Sequence, residues 1–259
     1  MADESDSLQI EKANGLLILR INRPHVSNAV DAATSYAIDA ALSEAETDDS
    51  IGAVIVTGAG ERAFCSGMDL KEAARIGVGK GLVPGRGFCG LTERNFPKPL
   101  IAAINGAAVA GGLELALACD LIVASETATF GLPEIKRGLV AYAGGVQRLA
   151  RLAPRSAAME IILTGEPLPA RRLYELGVVS RVVPAARVME EARALARSIL
   201  ANSRVAARYA KELYALSLDR PLDEALKAGH EIGARMPQAD AAEGVAAYAE
   251  KRAAHFGGA

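Results

Sequence analysis

The chain has 259 residues, 51% hydrophobic and 23% charged, with 29 Lys and Arg against 31 Asp and Glu for a formal net charge of −2. That length accommodates one large domain, or one with a small appendage, and the composition excludes disorder over most of it. Near-balanced charge argues against nucleic acid or an anionic membrane as the main partner, and with no Trp and 4% aromatics the core must be packed by Ala, Val, Ile and Leu.

The acidic, polar opening Met1–Ser7 is neither a secretory signal nor an Arg-rich transit peptide. Leu8 to Lys12 and Leu16 to Ile21 are strand-like runs separated by Asn14-Gly15, the pair that a two-residue hairpin turn prefers. Asp31 through Ala45 carries apolar residues near helical spacing. Ala53 to Thr57 is a buried strand closed by Gly58-Ala59-Gly60. Gly77 to Gly90 holds six glycines with Lys80 and Arg86, but its spacing matches neither a P-loop nor a GxGxxG set between strand and helix, so it reads as a mobile loop. Leu100 to Ile104 is another strand, a helix runs from about Gly111 to Ala118, and Leu121 to Ala124 is a third strand. The stretch Leu100 to Ala124 is apolar enough to suggest a membrane span, yet Asn105, Glu114 and Asp120 interrupt it and Gly106, Gly111 and Gly112 break it up. It reads as a buried soluble segment. Strand, glycine turn and helix in repetition predict an α/β fold with mainly parallel pairing.

Beyond about residue 153 the pattern turns helical: Arg155–Thr164, Ala170–Leu176, Arg187–Ala201, Arg204–Leu216, Leu222–Arg235 and Ala241–Ala254, with only Val178 to Val183 strand-like. Pro154, Pro169, Pro184, Pro221 and Pro237 sit at or near their starts, where a missing N–H is harmless. The last three helices carry much Ala and few large apolar residues, so they are expected to pack on a neighbouring subunit. Cys65, Cys89 and Cys119 are odd in number and lack CxxC spacing, which indicates reduced thiols in a cytoplasmic protein. His25, His230 and His255 form no metal-ligand pattern, and no metal is expected.

The sharpest anomaly is Glu114, flanked by Ala107-Ala108-Val109-Ala110-Gly111-Gly112-Leu113 and Leu115-Ala116-Leu117-Ala118-Cys119. A carboxylate buried in such a run has a raised pKa and works as a general acid or base near neutrality; the alternatives are an Arg-paired carboxylate or one at a helix edge. Gly111-Gly112 places free N–H groups and the positive helix end one turn before it. A second junction, Ala63-Phe64-Cys65-Ser66-Gly67-Met68-Asp69-Leu70, has Gly67 able to take positive φ and Met68 opening a helix, offering a second backbone donor. Two such donors suit an enolate oxygen.

These segments, with Asn22-Arg23-Pro24, Asn28-Ala29, Asn105-Gly106, Cys119-Asp120, Phe130-Gly131-Leu132-Pro133-Glu134, Gly138, Gly144-Gly145 and Gln147-Arg148-Leu149, resemble the enoyl-CoA hydratase/isomerase (crotonase) family from about Leu8 to Phe256. The resemblance implies a crotonase-like ββα spiral core, over residues 1–195, and a helical C-terminal trimerisation region, over 196–259. It implies a homotrimer or a dimer of trimers. The N–H groups of Met68 and Gly111 would form the oxyanion hole for an acyl-CoA thioester. Ser66, Met68, Asp69, Leu70 and Lys71 would hold coenzyme A, and Tyr248 and Lys251 would touch it across subunits. Glu114 and Glu134 fall on the two glutamates of the hydratases: Glu114 as the base that activates water toward C3, Glu134 as the proton donor to C2. Coenzyme A is part of the substrate, and no separate cofactor is implied.

One departure bears on substrate. Hydratases often have Pro-Gly where this chain has Ala141-Tyr142, so a ring enters near the second glutamate and points away from crotonyl-CoA as the preferred substrate. A hydratase of a modified, carnitine-derived acyl group and a double-bond isomerase remain on the same scaffold. A non-catalytic CoA-ester or RNA-binding member is the reading from another class; the glutamate pair favours the enzyme, and the lack of a dense basic stripe disfavours RNA. Ser66 lacks a GxSxG elbow, and Asp120 is expected to be structural.

Overall fold

The computed structural model describes residues 6–257, so the acidic segment read above as no signal peptide lies largely outside the described residues. The first half contains β1 (Leu8–Ala13), β2 (Leu16–Ile21), α1 (Ala32–Thr47), β3 (Ala53–Gly58), β4 (Ala63–Cys65), α2 (Leu70–Ile76), β5 (Leu100–Ile104), β6 (Ala107–Val109), α3 (Gly111–Leu117), β7 (Leu121–Ser125) and β8 (Thr129–Gly131). The second contains α4 (Gly145–Leu152), α5 (Arg155–Thr164), β9 (Leu168–Pro169), α6 (Ala170–Glu175), β10 (Arg181–Val183), α7 (Val188–Leu200), α8 (Arg204–Ser217), α9 (Leu222–Arg235) and α10 (Gln238–Glu250).

Asn14 and Gly15 both take positive φ, 51° and 79°, as the hairpin between β1 and β2 requires. Asp31 caps α1, its Oδ1 accepting the Thr34 N–H at 2.8 Å. Six strands form one sheet in the order β1-β2-β3-β5-β7-β10, parallel except for the β1–β2 pair. A second sheet, β4-β6-β8-β9, is built from strands of two or three residues. Each turn of the chain therefore gives one long strand to the first sheet and one short strand to the second, then a helix: β3-β4-α2, then β5-β6-α3, then β7-β8 leading through a short 3-10 turn to α4.

The long strands are apolar throughout because both faces are covered. Val54 and Val56 face the core shared with Phe64, Phe130, Leu113 and α1, whereas Ala53 and Ile55 face Val188, Ala192 and Ala196 of α7. Thus α7 runs across residues 195 and 196 as one continuous helix under the sheet. The three C-terminal helices are held at a few polar points. Lys211 Nζ of α8 reaches Asp120 Oδ2 at 2.7 Å, and Asp120 also accepts the Leu100 N–H at 2.8 Å, the structural role expected of it. Leu222, Leu226, Val245 and Tyr248 on α9 and α10 face outward. Among the described residues no helix is long and apolar enough to cross a membrane.

Several expectations change. The second sheet and α4 were not foreseen. The strand expected over Val178 to Val183 is confined to β10, because Val178 and Val179 both donate to Leu173 O in the turn after α6. The helix expected over Ala241–Ala254 starts at Gln238 and ends at Glu250, where Lys251 turns to φ 55°. Met68 does not open a helix: Asp69 is the N-cap and α2 starts at Leu70. The Gly77–Gly90 segment is anchored rather than free, with Val83 bridged to Gly87 and Phe88 and Cys89 buried.

Helix α3 is seated directly on β4, where a Cβ on Gly112 would overlap the Cys65 carbonyl oxygen. Gly112→Ala is expected to lower stability by about 3 kcal/mol through this backbone clash. Urea denaturation reads it, and an unchanged midpoint would show that α3 does not rest on β4 at that point.

Candidate active site

The site begins at the two β-to-helix corners. Between β6 and α3, Ala110 adopts φ 53° and ψ −130°, a conformation that costs an L-residue on the order of 1–3 kcal/mol. Its N–H is fixed to Gly131 O at 2.9 Å, and the sharp turn leaves the Gly111 N–H at the start of α3 without an acceptor among the described residues. Between β4 and α2, Gly67 takes φ 87°. Val30 pins this corner on both sides of Met68, donating to Gly67 O at 2.8 Å and accepting from Asp69 N at 2.8 Å. The Met68 N–H is likewise left without an acceptor among the described residues. The corners touch: a Cβ on Gly67 would stand 2.9 Å from Gly111 N.

Both corners open on a cavity of about 360 Å³ whose lining includes Ser66, Met68, Leu70, Phe88, Gly111, Glu114, Glu134 and Tyr142. Glu114 is only 5% exposed, and its Oε1 accepts the Gly145 N–H at 3.0 Å. Burial pushes its pKa up to about 7, helped by the negative charge of Glu134 and opposed by the N–H groups of Gly145 and Ala143 and by Arg148. Glu134 lies on the 3-10 turn Pro133–Arg137. Burial raises its pKa too, against its own N–H and Arg137. Its Oε2 is buried with no hydrogen-bond partner. The charge of Glu134 adds to the raising of Glu114, so the two carboxyl groups titrate as a coupled pair. The arrangement can grip an oxyanion with two amides while a carboxyl and a carboxylate take and give protons beside it.

The seven residues Ser66, Met68, Leu70, Gly111, Glu114, Glu134 and Tyr142, expected from sequence, are brought to this cavity. Asp69 and Lys71 do not line it. Asp69 accepts the N–H groups of Lys71 and Glu72 and pairs with Arg23 at 3.1 Å. Burial opposes its ionisation, but the Glu72 N–H and Arg23 outweigh that and hold the carboxyl below its ordinary range. Tyr248 and Lys251 stand exposed at the end of α10, away from the cavity lining. Phe88, Leu82 and Arg137 also line the cavity and were not foreseen as wall residues. Arg137, three residues after Glu134 on the same turn, was detectable by that spacing; Phe88 lay in the segment read as a loop. Burial pushes the thiols of Cys65 and Cys119 up to about 12. Among the described residues no cluster of three His, Cys, Asp or Glu side chains is placed to hold a metal.

Comparison with known proteins bears on this geometry. The sequence profile described as Enoyl-CoA hydratase/isomerase matches residues 11–259. Carnitinyl-CoA dehydratase of Salmonella typhi is 39% identical over 255 residues, covering 96% of this chain and 97% of its own length. The enoyl-CoA hydratase from Mycobacterium tuberculosis H37Rv has a solved structure that superposes with a TM-score of 0.92 at 42% identity, over 98% of this chain and 99% of that one. The enoyl-CoA hydratase from Bacillus anthracis superposes with a TM-score of 0.88 at 33% identity, over 98% of this chain and 100% of that one. The crotonase-like fold expected from the motifs is thus the fold observed.

The raised pKa of Glu114 has a stability consequence. The carboxyl has an ordinary pKa of 4.5 and titrates at about 7 in the fold, so its contribution is greatest at low pH and is lost as pH rises through the folded value. Glu114→Gln should therefore stabilise the protein by about 2 kcal/mol more at about pH 8 than at about pH 5. Chemical denaturation at both pH values reads the difference, and a stability change independent of pH would place Glu114 in the ordinary carboxylate range.

Proposed function

The chain belongs to the enoyl-CoA hydratase/isomerase family, and from that premise we propose that it adds water across the C2=C3 double bond of a 2-enoyl-CoA thioester. The observation that carries this reading is the buried, unpartnered Oε2 of Glu134 in the same cavity as Glu114 and two free amides. A water held between the two carboxyl groups satisfies that oxygen and lies beside the alkene of a thioester whose carbonyl is gripped by Met68 and Gly111.

In the forward direction the amides take up the negative charge that develops on the thioester oxygen as the water oxygen bonds to C3. Glu114 accepts the proton that water loses, and Glu134 delivers its own proton to C2. The pair starts and ends with one proton, now on the other partner, and exchange with solvent resets it. Ser66 and Leu70 support the coenzyme A moiety at the cavity mouth. Asp69 and Lys71 act there through the capped start of α2, and Tyr248 and Lys251 of a neighbouring subunit reach it in a trimer. The outward apolar residues of α9 and α10 supply the surface such a trimer needs.

A second reading, a modified acyl group of the carnitinyl kind, is favoured by the relative at 39% identity and by the Tyr142 ring in the cavity, since an aromatic face attracts a quaternary ammonium. Arg137 works against it, because its guanidinium lines the same cavity. An isomerase would use the same carboxyl pair to carry a proton along the acyl chain. A non-catalytic binder would bear the cost of two buried carboxyl groups without using them.

Glu114→Gln and Glu134→Gln are each expected to lower hydration by about 10²–10⁴-fold while leaving CoA-ester affinity similar. Turnover measured over a panel of 2-enoyl-, 3-enoyl- and hydroxyacyl-CoAs, with crotonobetainyl-CoA included, tests this and ranks the substrates; wild-type rates in either variant would exclude the mechanism. Sedimentation at micromolar concentration should give a trimer or hexamer, and a monomer would remove the cross-subunit role of Tyr248 and Lys251.

A further inference from the structure

The hydration mechanism uses no residue of Gln147-Arg148-Leu149, yet Arg148 is placed at a cost. It lies in the first turn of α4, where the helix dipole disfavours a cation. It is half-buried, and its guanidinium donates to a backbone carbonyl, Thr92 O. We propose that Arg148 is a positioning residue: its guanidinium braces the Gly144–Gly145 turn that holds Glu114 and ties that turn to the wall carrying the Gly111 amide.

The contacts form a continuous path. Arg148 Nη1 packs directly on Gly144, occupying the space a Cβ there would need. Gly144 has φ 108°, and the next residue, Gly145, donates to Glu114 Oε1 at 3.0 Å. Arg148 Nη2 donates to Thr92 O at 2.7 Å. Thr92 Oγ1 accepts the Phe88 N–H at 2.8 Å, and the Phe88 ring lies 2.9 Å from where a Cβ on Gly111 would stand. One planar, rigid fork thus joins the donor that orients the carboxylate to the aromatic wall behind the oxyanion amide. A flexible ammonium cannot make both contacts with fixed geometry.

The same guanidinium sets the charge balance. The groups that face it are Glu114 from α3, Cys119 just after that helix, Arg151 from α4 and Glu93 from the loop after Phe88, and its own pKa is lowered mainly by burial. Glu114 in turn faces Glu134 and Arg148 as its charged neighbours. Arg148 therefore opposes the effects that favour the protonated form of Glu114. Removing the cation moves the carboxyl pKa upward.

The kinetic test rests on the hydration reading; the titration does not. In Arg148→Gln, the Glu114 carboxyl, followed by ¹³C NMR and assigned with Glu114→Gln, should titrate at a higher pH than in the wild type. With a 2-enoyl-CoA the same variant should lose about 10²-fold in kcat with little change in KM, and its pH optimum should move up. Arg148→Lys keeps the charge and loses the fork, so it should restore the Glu114 titration but only part of kcat. An unmoved Glu114 titration in Arg148→Gln overturns the electrostatic role, and a fully active Arg148→Lys overturns the bracing role. Should Arg148→Gln not fold, Arg148→Met, which keeps an apolar stem in the seat and removes the charge, replaces it with the same expected shift and the same disproof. A wild-type protein that hydrates no 2-enoyl-CoA, with the titration shift present, would sink the hydration reading and leave the positioning of Glu114 intact.

Discussion

A carboxylate in an apolar helix is the constraint around which this protein is arranged. Glu114 cannot be hydrated by its sequence neighbours, since those on either side in α3 are apolar and buried. It is tolerated because α4 begins beside it and presents the Gly145 N–H to its oxygen. The glycine is required on steric grounds as well, because a Cβ on Gly145 would press on the Glu114 side chain at 3.1 Å. Desolvation still dominates, and so the group titrates at about 7 instead of 4.5. A buried acid that is neither fully ionised nor fully neutral at physiological pH can pass a proton in either direction, which a salt-bridged carboxylate cannot.

The repeat of the fold explains why the complementary groups arrive at the same place. Each unit crosses from a long strand to a short one and turns into a helix, and those corners lie side by side because the short strands β4, β6 and β8 pair in parallel. The first corner brings Met68, the second Gly111 and Glu114, the third Glu134, Tyr142 and Gly145. The Gly111 amide is free at its corner because the first turn of a helix provides no acceptor for it. The second sheet, short as it is, therefore sets the spacing of the chemistry, and the longer sheet with α7 beneath it supplies the rigid support.

Much of this was legible in the chain. Asn14-Gly15, Asp31 and the long apolar strands announce themselves by local chemistry, and Glu114 stands out against its surroundings. The second sheet was invisible for a physical reason: a three-residue strand such as Ala63–Cys65, buried at every position, shows no alternation and exists only through its partners. The start of α2 was misplaced because Met68 and Asp69 both follow a glycine of positive φ, and only the hydrogen bonds to Val30 and Lys71 distinguish the linker residue from the cap. Of the site, the glutamates and amides were legible while Phe88 and Leu82 were not, because a wall residue is defined by what it faces and carries no motif of its own.

The unfavourable features of the molecule concentrate where the chemistry is. Ala110 is held in a backbone conformation suited to glycine, Glu114 is desolvated, Glu134 Oε2 has no partner, and Arg148 sits as a cation at a helix start. Scattered, these would read as defects. At one cavity, the first three leave a donor or an acceptor available to something else, and Arg148 stands behind its wall as the brace. The ordinary interior, with Val54, Val56, Phe64 and Phe130 packed between sheets and helices, offsets that cost and keeps the corners from relaxing. A site of this kind stays reactive because the surrounding core is too well packed to let its strained groups find partners within the protein.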